Sequence, residues 1–306
     1  LMSKITIFTP TYNRGHLLPN LYNSLLNQTC KNFEWLIIDD ESNDNTEVIV
    51  NKIIEKNDSF EIRYYKQKHG GKHRAINKAL DIAKGDYFFI VDSDDQLTRD
   101  AVELAYKWIE DTCHNSKIAG VAGLRSHMNG DVIGDKLSIE NDSWIECSNF
   151  DRERNHLLGD KAEIYKTELL KKNKFPEFDN EFFVTEAVMW DKVAALGYQV
   201  RWYNTIIYLC EYLDNGLSKS GANSLNGYIN NYMGFSYYVR QRIRYTYLEN
   251  NLRLILDYIR VSKIKKISFI KIVHNIGLSK YEFIKLIANI PFHYISKKIG
   301  GNNKHE

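Results

Sequence analysis

The chain has 306 residues, 43% hydrophobic and 26% charged, with a formal net charge of +2. That is enough for one large domain or for a domain with an appendage. No run reaches the ~18–20 apolar residues of a membrane-spanning helix, which excludes an integral helical membrane protein and leaves a soluble or peripheral one.

The first 120 residues alternate strand and helix. Lys4–Thr9 is a short apolar strand, and Leu17, Leu18, Leu21, Leu25 and Leu26 follow at helical spacing with Pro19 in the tolerant first turn. Glu34–Ile38 is a second apolar strand ending in Asp39 and Asp40. Asp44–Ile54 is a helix with Asn43 or Asp44 as N-cap. Ile62–Tyr65 is a third strand. Lys72–Ala83 is a helix stopped by Gly85, Tyr87–Val91 a fourth strand, Ala101–Ile109 a helix, and Ile118–Leu124 a further strand. This order predicts an α/β fold, a mostly parallel sheet with helices on both faces, and such sheets bind ligands at the carboxyl ends of their strands. Beyond residue 125 the pattern loosens. Strands are expected near Glu163–Tyr165 and Val200–Tyr208, a helix near Thr185–Ala195, and helices from about Leu225 onward.

Three polar clusters should meet at one sheet edge: Thr9-Pro10-Thr11-Tyr12-Asn13-Arg14, Asp39-Asp40-Glu41-Ser42 and Asp92-Ser93-Asp94-Asp95. No G-x-G-x-x-G follows the first strand, which argues against a dinucleotide cofactor, and no Walker A loop is present. The carboxylates of Asp92–Asp95 repel one another. A hard cation with oxygen ligands relieves that and can bridge two phosphates, but a solvated turn capping the next helix reads equally well from these residues alone. An isolated Asp39-Asp40 pair fits a turn. Tyr12 suits either a surface position or stacking on a nucleobase. The segment His69-Gly70-Gly71-Lys72-His73-Arg74 lets backbone approach a phosphate and supplies cations, or is a flexible loop before a basic helix start.

The runs ITIFTPTYNR, WLIIDDESND and GGKHRAINKALDIAKGDYFFIVDSDD together resemble family 2 glycosyltransferases of the GT-A fold over residues 4 to about 110. The resemblance continues more weakly through GDKAEIYKTELL, FVTEAVMWDKVA and YLDNGLS to about residue 218. It is to nonprocessive members that build capsular, teichoic or exopolysaccharide chains. It implies a GT-A catalytic domain over 1–220 and a basic helical region over 221–306. It also implies donor-binding roles for Pro10, Tyr12, Arg14, Asp40, Lys72, Arg74 and Asp92. Pro10 and Tyr12 would border the nucleobase, Asp40 would accept the uracil N–H, Asp92 would lie near the ribose, and Gly71–Arg74 would line the diphosphate. Asp94 would ligate Mn²⁺ or Mg²⁺. Glu186 matches the family's catalytic acidic position. The implied reaction is a single inverting displacement that moves a sugar from a nucleotide-diphosphate donor, a UDP-sugar, to a hydroxyl of a glycan or lipid-linked acceptor.

The match has departures. Many relatives have Glu-Asp where Glu186-Ala187 stands, so Asp179, Glu181 and Asp191 are rivals for the base. Ile76 precedes Asn77 where many relatives carry arginine, which leaves the donor-loop cation to Lys72 or Arg74. Gln199-Val200-Arg201-Trp202 is one residue short of Q-x-x-R-W, against a processive synthase. Two other readings stand beside the transferase: a nucleotidyltransferase, and a non-catalytic subunit of an assembly complex that keeps the donor fold.

Between Asn251 and Ile299, ten Lys/Arg face only Asp257 and Glu282, a net +8 on a mildly acidic body. Basic amphipathic helices of this kind contact an anionic membrane, pack on the catalytic domain, or join a second copy. Nucleic acid is disfavoured because the charge is local and the sheet edge acidic. Cys30, Cys113, Cys147 and Cys210 have no metal spacing and read as reduced, mostly buried thiols of a cytoplasmic protein, peripheral on the inner membrane face if the basic helices bind there.

Overall fold

In the computed structural model, which describes residues 4–137, 139–140, 143–211, 224–246 and 251–288, the apolar runs become strands. The chain divides into two units, Leu1–Phe175 with Lys192–Asp214, and Pro176–Asp191 with Asn215–Glu306.

The first unit holds one mixed sheet. Its strands are β1 (Ile5–Thr11), β2 (Phe33–Asp39), β3 (Glu61–Lys66), β4 (Tyr87–Ile90), β5 (Gln96–Leu97), β6 (Ile118–His127), β7 (Trp144–Cys147), β8 (Lys161–Lys166) and β9 (Gln199–Cys210). The order is β3-β2-β1-β4-β8-β6-β9-β5, with β7 paired to β9. The half β3-β2-β1-β4 is parallel and its crossovers are α1 (Leu18–Leu26), α2 (Thr46–Lys56) and α3 (Lys72–Ile82). β8 runs antiparallel between β4 and β6, and β9 is parallel to β6. The helices α4 (Ala101–Thr112) and α5 (Thr167–Lys171) complete this unit, and α6 (Ala187–Ala195) begins in the second unit and ends in the first. β1 and β2 are buried almost throughout, as strands covered on both faces must be, so they read as continuous apolar runs.

Two expected helix ends differ in detail. The residue before α2 is Asn45, whose side chain makes no cap bond. Asp44 instead accepts from Thr46 N (3.0 Å) and Gly15 N (3.2 Å), tying the β1 exit to α2. α3 ends at Ile82, before Gly85 is reached. Gly85 answers to close approach: an added Cβ would lie 2.4 Å from Thr6 N. Of the four cysteines, Cys147 and Cys210 are buried, Cys30 is half-buried and Cys113 is exposed, so burial is less general than expected. Gln199–Trp202 lies in β9, where Arg201 pairs with Glu146 (2.6 Å) and Trp202 donates to Cys147 O (3.2 Å), both on or beside β7.

The second unit is helical. α7 (Leu225–Asn230), α8 (Tyr232–Tyr245), α9 (Leu252–Ile264), α10 (Phe269–Asn275) and α11 (Lys280–Ala288) share a core of Tyr232, Phe235, Val239, Ile255, Tyr258 and Phe283, among others. The Tyr232 hydroxyl lies 3.0 Å from that of Tyr258 and 2.8 Å from Ser262 Oγ, which satisfies these buried groups. No helix is long and apolar enough to cross a membrane among the described residues. The YLDNGLS run and Lys297 and Lys298 lie outside the described residues.

Candidate active site

Parallel pairing brings the carboxyl ends of β1, β2 and β4 together. Thr11 registers with Asp39, Asp40 N donates to Thr11 O (2.9 Å), and Val91 N donates to Phe8 O (2.8 Å). The chain then turns sharply at Asn13 (φ 54°) and Glu41 (φ 69°), left-handed positions that Asn tolerates better than most residues. Asn13 N donates to Ser42 Oγ, and Asn43 N donates to Asn13 Oδ1, both at 2.8 Å, so the two turns brace each other.

Across this edge two cation–carboxylate pairs form. Arg14 Nη1 lies 2.9 Å from Asp94 Oδ2, and Lys72 Nζ, at the start of α3, lies 2.6 Å from Asp92 Oδ1. Burial opposes the charge of Asp92, but Lys72 and Arg125 outweigh it and hold its carboxyl below the ordinary value. Burial raises the carboxyl of Asp94 above its ordinary value; the pull of Arg14 opposes this, and repulsion from Asp92 adds to the rise. Burial, then Asp92, push Asp95 up to about 7.

Asp95 is tied by a network that sequence reasoning missed. The Tyr208 hydroxyl on β9 donates to Asp95 Oδ2 (2.8 Å) and accepts from Asp92 N (2.9 Å). Glu211 N also donates to Asp95 Oδ1 (3.2 Å), and the Arg125 guanidinium stacks over the Tyr208 ring at 4.1 Å. The turn Asp92–Asp95 is therefore fastened by Tyr208 of β9, whose ring is covered by Arg125 of β6. No local signal announces Tyr208 or Arg125, since their partners lie far away in the chain.

The two aspartates ending β2 divide their labour. Asp39 is fully buried and accepts from Ser42 N (2.8 Å) and the Tyr64 hydroxyl (2.6 Å), so it shapes the turn. Asp40 accepts from Gln67 Nε2 (2.7 Å), Gly70 N (2.9 Å) and Gly71 N (2.8 Å), with His69 Nδ1 at 2.9 Å. The glycine amides of the 69–74 segment thus point at a carboxylate of the chain. The His69 ring stacks on Tyr12 (centroids 4.4 Å apart, 25° between planes). Arg74 donates from Nη1 back to Gly70 O (2.7 Å), which directs it at the loop, while Lys72 faces Asp92. Pro10 lies within β1 opposite Ile38. Asn77 clasps the backbone of Phe175, donating to its O (3.0 Å) and accepting from its N (2.9 Å).

Glu186 belongs to the second unit, half-buried, and its carbonyl accepts from Met189 N (3.0 Å) in the first turn of α6. Two of its rivals are engaged in folding there. Glu181 accepts from Met233 N (2.7 Å) and Gly234 N (2.8 Å) at the start of α8, and fully buried Asp191 lies 3.4 Å from Arg242 Nη1.

The donor chemistry of the edge suits a hard divalent ion. Asp92 and Asp94 offer carboxylate oxygens, the ligands such an ion prefers. No group of three His, Cys, Asp or Glu side chains forms a metal cage among the described residues.

A mixed α/β sheet with acidic strand ends and flanking helices is the architecture of GT-A glycosyltransferases. S. aureus TarS 1–349, solved with UDP-GlcNAc, superposes with a TM-score of 0.62 at 19% identity, covering 99% of this chain and 94% of that one. The mannosyltransferase PcManGT of Pyrobaculum calidifontis, solved with GDP-Man and Mn²⁺, gives 0.55 at 14% identity, covering 97% of this chain and 84% of that one. The family model described as "Glycosyl transferase family 2" matches residues 6–172, more than half of the sequence, and the chain belongs to that family. A Campylobacter jejuni protein named GalNAc(5)-diNAcBac-PP-undecaprenol beta-1,3-glucosyltransferase is 30% identical over 198 residues, 62% of this chain and 59% of that protein. The Staphylococcus aureus poly(ribitol-phosphate) beta-N-acetylglucosaminyltransferase TarP is 37% identical over 109 residues, 35% of this chain and 33% of that one.

Proposed function

We propose that the chain is an inverting, metal-dependent glycosyltransferase. It moves one sugar from a nucleotide-diphosphate donor, a UDP-sugar, to a hydroxyl of a glycan or lipid-linked acceptor in cell-surface polysaccharide synthesis. The observation that carries this reading is the pair of ion pairs Arg14–Asp94 and Lys72–Asp92 at the carboxyl ends of β1 and β4. Each cation is already positioned by a carboxylate and can pass to a phosphate oxygen when a donor arrives. Tyr12 and His69 offer flat rings to a base, and Asp40 accepts its N–H in exchange for one of its present donors. Mn²⁺ or Mg²⁺ held by Asp94 would neutralise charge on the departing diphosphate. Glu186 takes the acceptor's hydroxyl proton as the new C–O bond forms at the anomeric carbon and the bond to phosphate breaks on the opposite face. A carboxylate can take this proton because bond formation acidifies the hydroxyl. The sugars handled by the relatives support the class of donor: glucosyl and N-acetylglucosaminyl in their names, UDP-GlcNAc and GDP-Man in the solved neighbours.

The test is a thermal-shift panel of nucleotide sugars with and without Mn²⁺, followed by a transfer assay with the stabilising donor. Mass action stabilises the chain by about 2.7 kcal/mol at a hundred times the Kd. Asp94→Ala should abolish the Mn²⁺-dependent part of that shift. Glu186→Gln should keep the shift and lose transfer by about 10²–10⁴-fold. A chain that binds no nucleotide sugar, or whose two variants transfer at the wild-type rate, overturns the assignment, and the first outcome favours a non-catalytic assembly subunit.

A further inference from the structure

The helical core of the second unit is closed by Val273, Ile276, Phe283 and Leu286, yet large apolar side chains remain outside it. Eight of the nine residues from Lys263 to Lys271 are exposed, and only Ile267 is partly covered. This α9–α10 corner presents Ile264, Phe269 and Ile270, the last 64% exposed, between Lys263, Lys265, Lys266 and Lys271. No acidic residue occurs in the run. Phe269 packs edge-on against Phe283 of α11, with centroids 5.6 Å apart, so the corner and α11 are neighbours. On α11, Tyr281 and Ile284, spaced to share one face, are 75% and 59% exposed and lie beside Lys280 and Lys285.

Single exposed apolar residues are ordinary, but five large ones on one corner and its neighbouring helix are not. We infer that this corner, with the outer face of α11, docks the chain onto an anionic lipid bilayer. The composition selects the occupant. Protein interfaces are depleted in lysine and concentrate it at the rim, whereas lysines alternate with apolar side chains from Lys263 to Lys271, and on α11 Lys280 and Lys285 outnumber the exposed Glu282. Lysine stems lie along apolar neighbours while their ammonium groups reach phosphates, and Phe and Tyr suit the headgroup boundary. Isoleucines reaching ~5–10 Å into the acyl boundary, ringed by cations, make an interfacial anchor. Lys265 is partly committed at home, donating to Ile229 O (2.8 Å), so Lys263, Lys266, Lys271, Lys280 and Lys285 carry the electrostatic part. The inference stands apart from the proposed sugar transfer, and its test reads no chemistry.

The experiment is co-sedimentation of the full chain with phosphatidylcholine vesicles and with vesicles containing about one-third phosphatidylglycerol, in about 0.1 M and about 0.5 M NaCl. Two variant sets use exposed positions outside the core: Ile264→Ser with Ile270→Ser, and Lys263→Gln with Lys266→Gln and Lys271→Gln. The wild type should bind anionic vesicles about tenfold or more tightly than neutral ones and lose most of that in high salt. Each set should weaken binding by about tenfold with the thermal midpoint unchanged. Absence of sedimentation, equal binding to neutral vesicles, or either set binding like wild type overturns the inference. So does a doubled mass in sedimentation equilibrium that Ile264→Ser with Ile270→Ser returns to the monomer, which gives the surface to a second copy.

Discussion

The sheet edge of the first unit and the lysine corner of the second both expose positive charge, but they hold it differently. At the edge, Arg14 and Lys72 each rest on a carboxylate at 2.9 and 2.6 Å, and these carboxylates sit on a turn fastened by Tyr208. At the corner, lysines stand among exposed isoleucine and phenylalanine with no acid in the run. A preorganised ion pair fixes the position of a cation to within the width of a hydrogen bond, as transition-state stabilisation demands. Exposed lysines give attraction without fixed geometry, which suffices for a fluid surface of phosphates.

Lys72→Ala cuts deepest into this contrast. It removes a cation aimed at the site and leaves Asp92 without that partner. Transfer, kcat/KM, should fall about a hundredfold. The thermal midpoint should drop by an amount matching about 1 kcal/mol, the modest figure set by partial solvent exposure of both side chains. Lys271→Gln, by contrast, should leave both unchanged; equal effects from the two variants would erase the distinction. Tyr208→Phe comes next. It keeps the ring under Arg125 but deletes the hydroxyl that joins Asp92 N to Asp95. A loss of about tenfold in kcat, with donor binding little altered, would mark the hydroxyl as positioning the acidic turn. A wild-type kcat would show that the turn holds itself.

The smallest effect is on stability. Burial lowers Lys161, almost wholly enclosed and donating to Leu158 O (2.8 Å), from 10.5 to about 8. The unfolded chain keeps this proton up to about 10.5 and the folded chain only to about 8. The unfolded state therefore binds more protons between those values, and stability rises with pH across that window. Denaturant midpoints followed from pH 7.5 to 10 should show that rise in wild type and a flatter profile in Lys161→Met.

Much of the parallel half was legible because strands covered on both faces carry unbroken apolar runs, as Phe33–Asp39 does. The direction of β8 was not, since three or four apolar residues look alike in either direction and only pairing with β4 and β6 sets it. β5, two residues long, and β7, whose tryptophan is exposed, carry too little pattern to be seen. At the edge, the residue types of the acidic turn and of Arg14 and Lys72 stood out from their positions after apolar strands. The partners of Asp40 did not. Its carboxylate is met by Gln67, Gly70 and Gly71, and bonds spanning some thirty residues leave no periodic trace. Likewise Gly85 reads as a helix stop until Thr6 is seen beside it.

The insertion of β8 between β4 and β6 has a consequence for synthesis. Tyr87 pairs with Lys166, so one side of β4 stays bare on the ribosome while the chain between them is still being made. At about 5–20 residues per second, that interval lasts roughly 4–16 s. During it, Phe88 and Phe89 offer an open hydrogen-bonding rim to any nascent neighbour, the template that edge-to-edge association needs. Translation speed through residues 90–165, and the holding chaperones present then, become determinants of yield that stability of the finished molecule does not report.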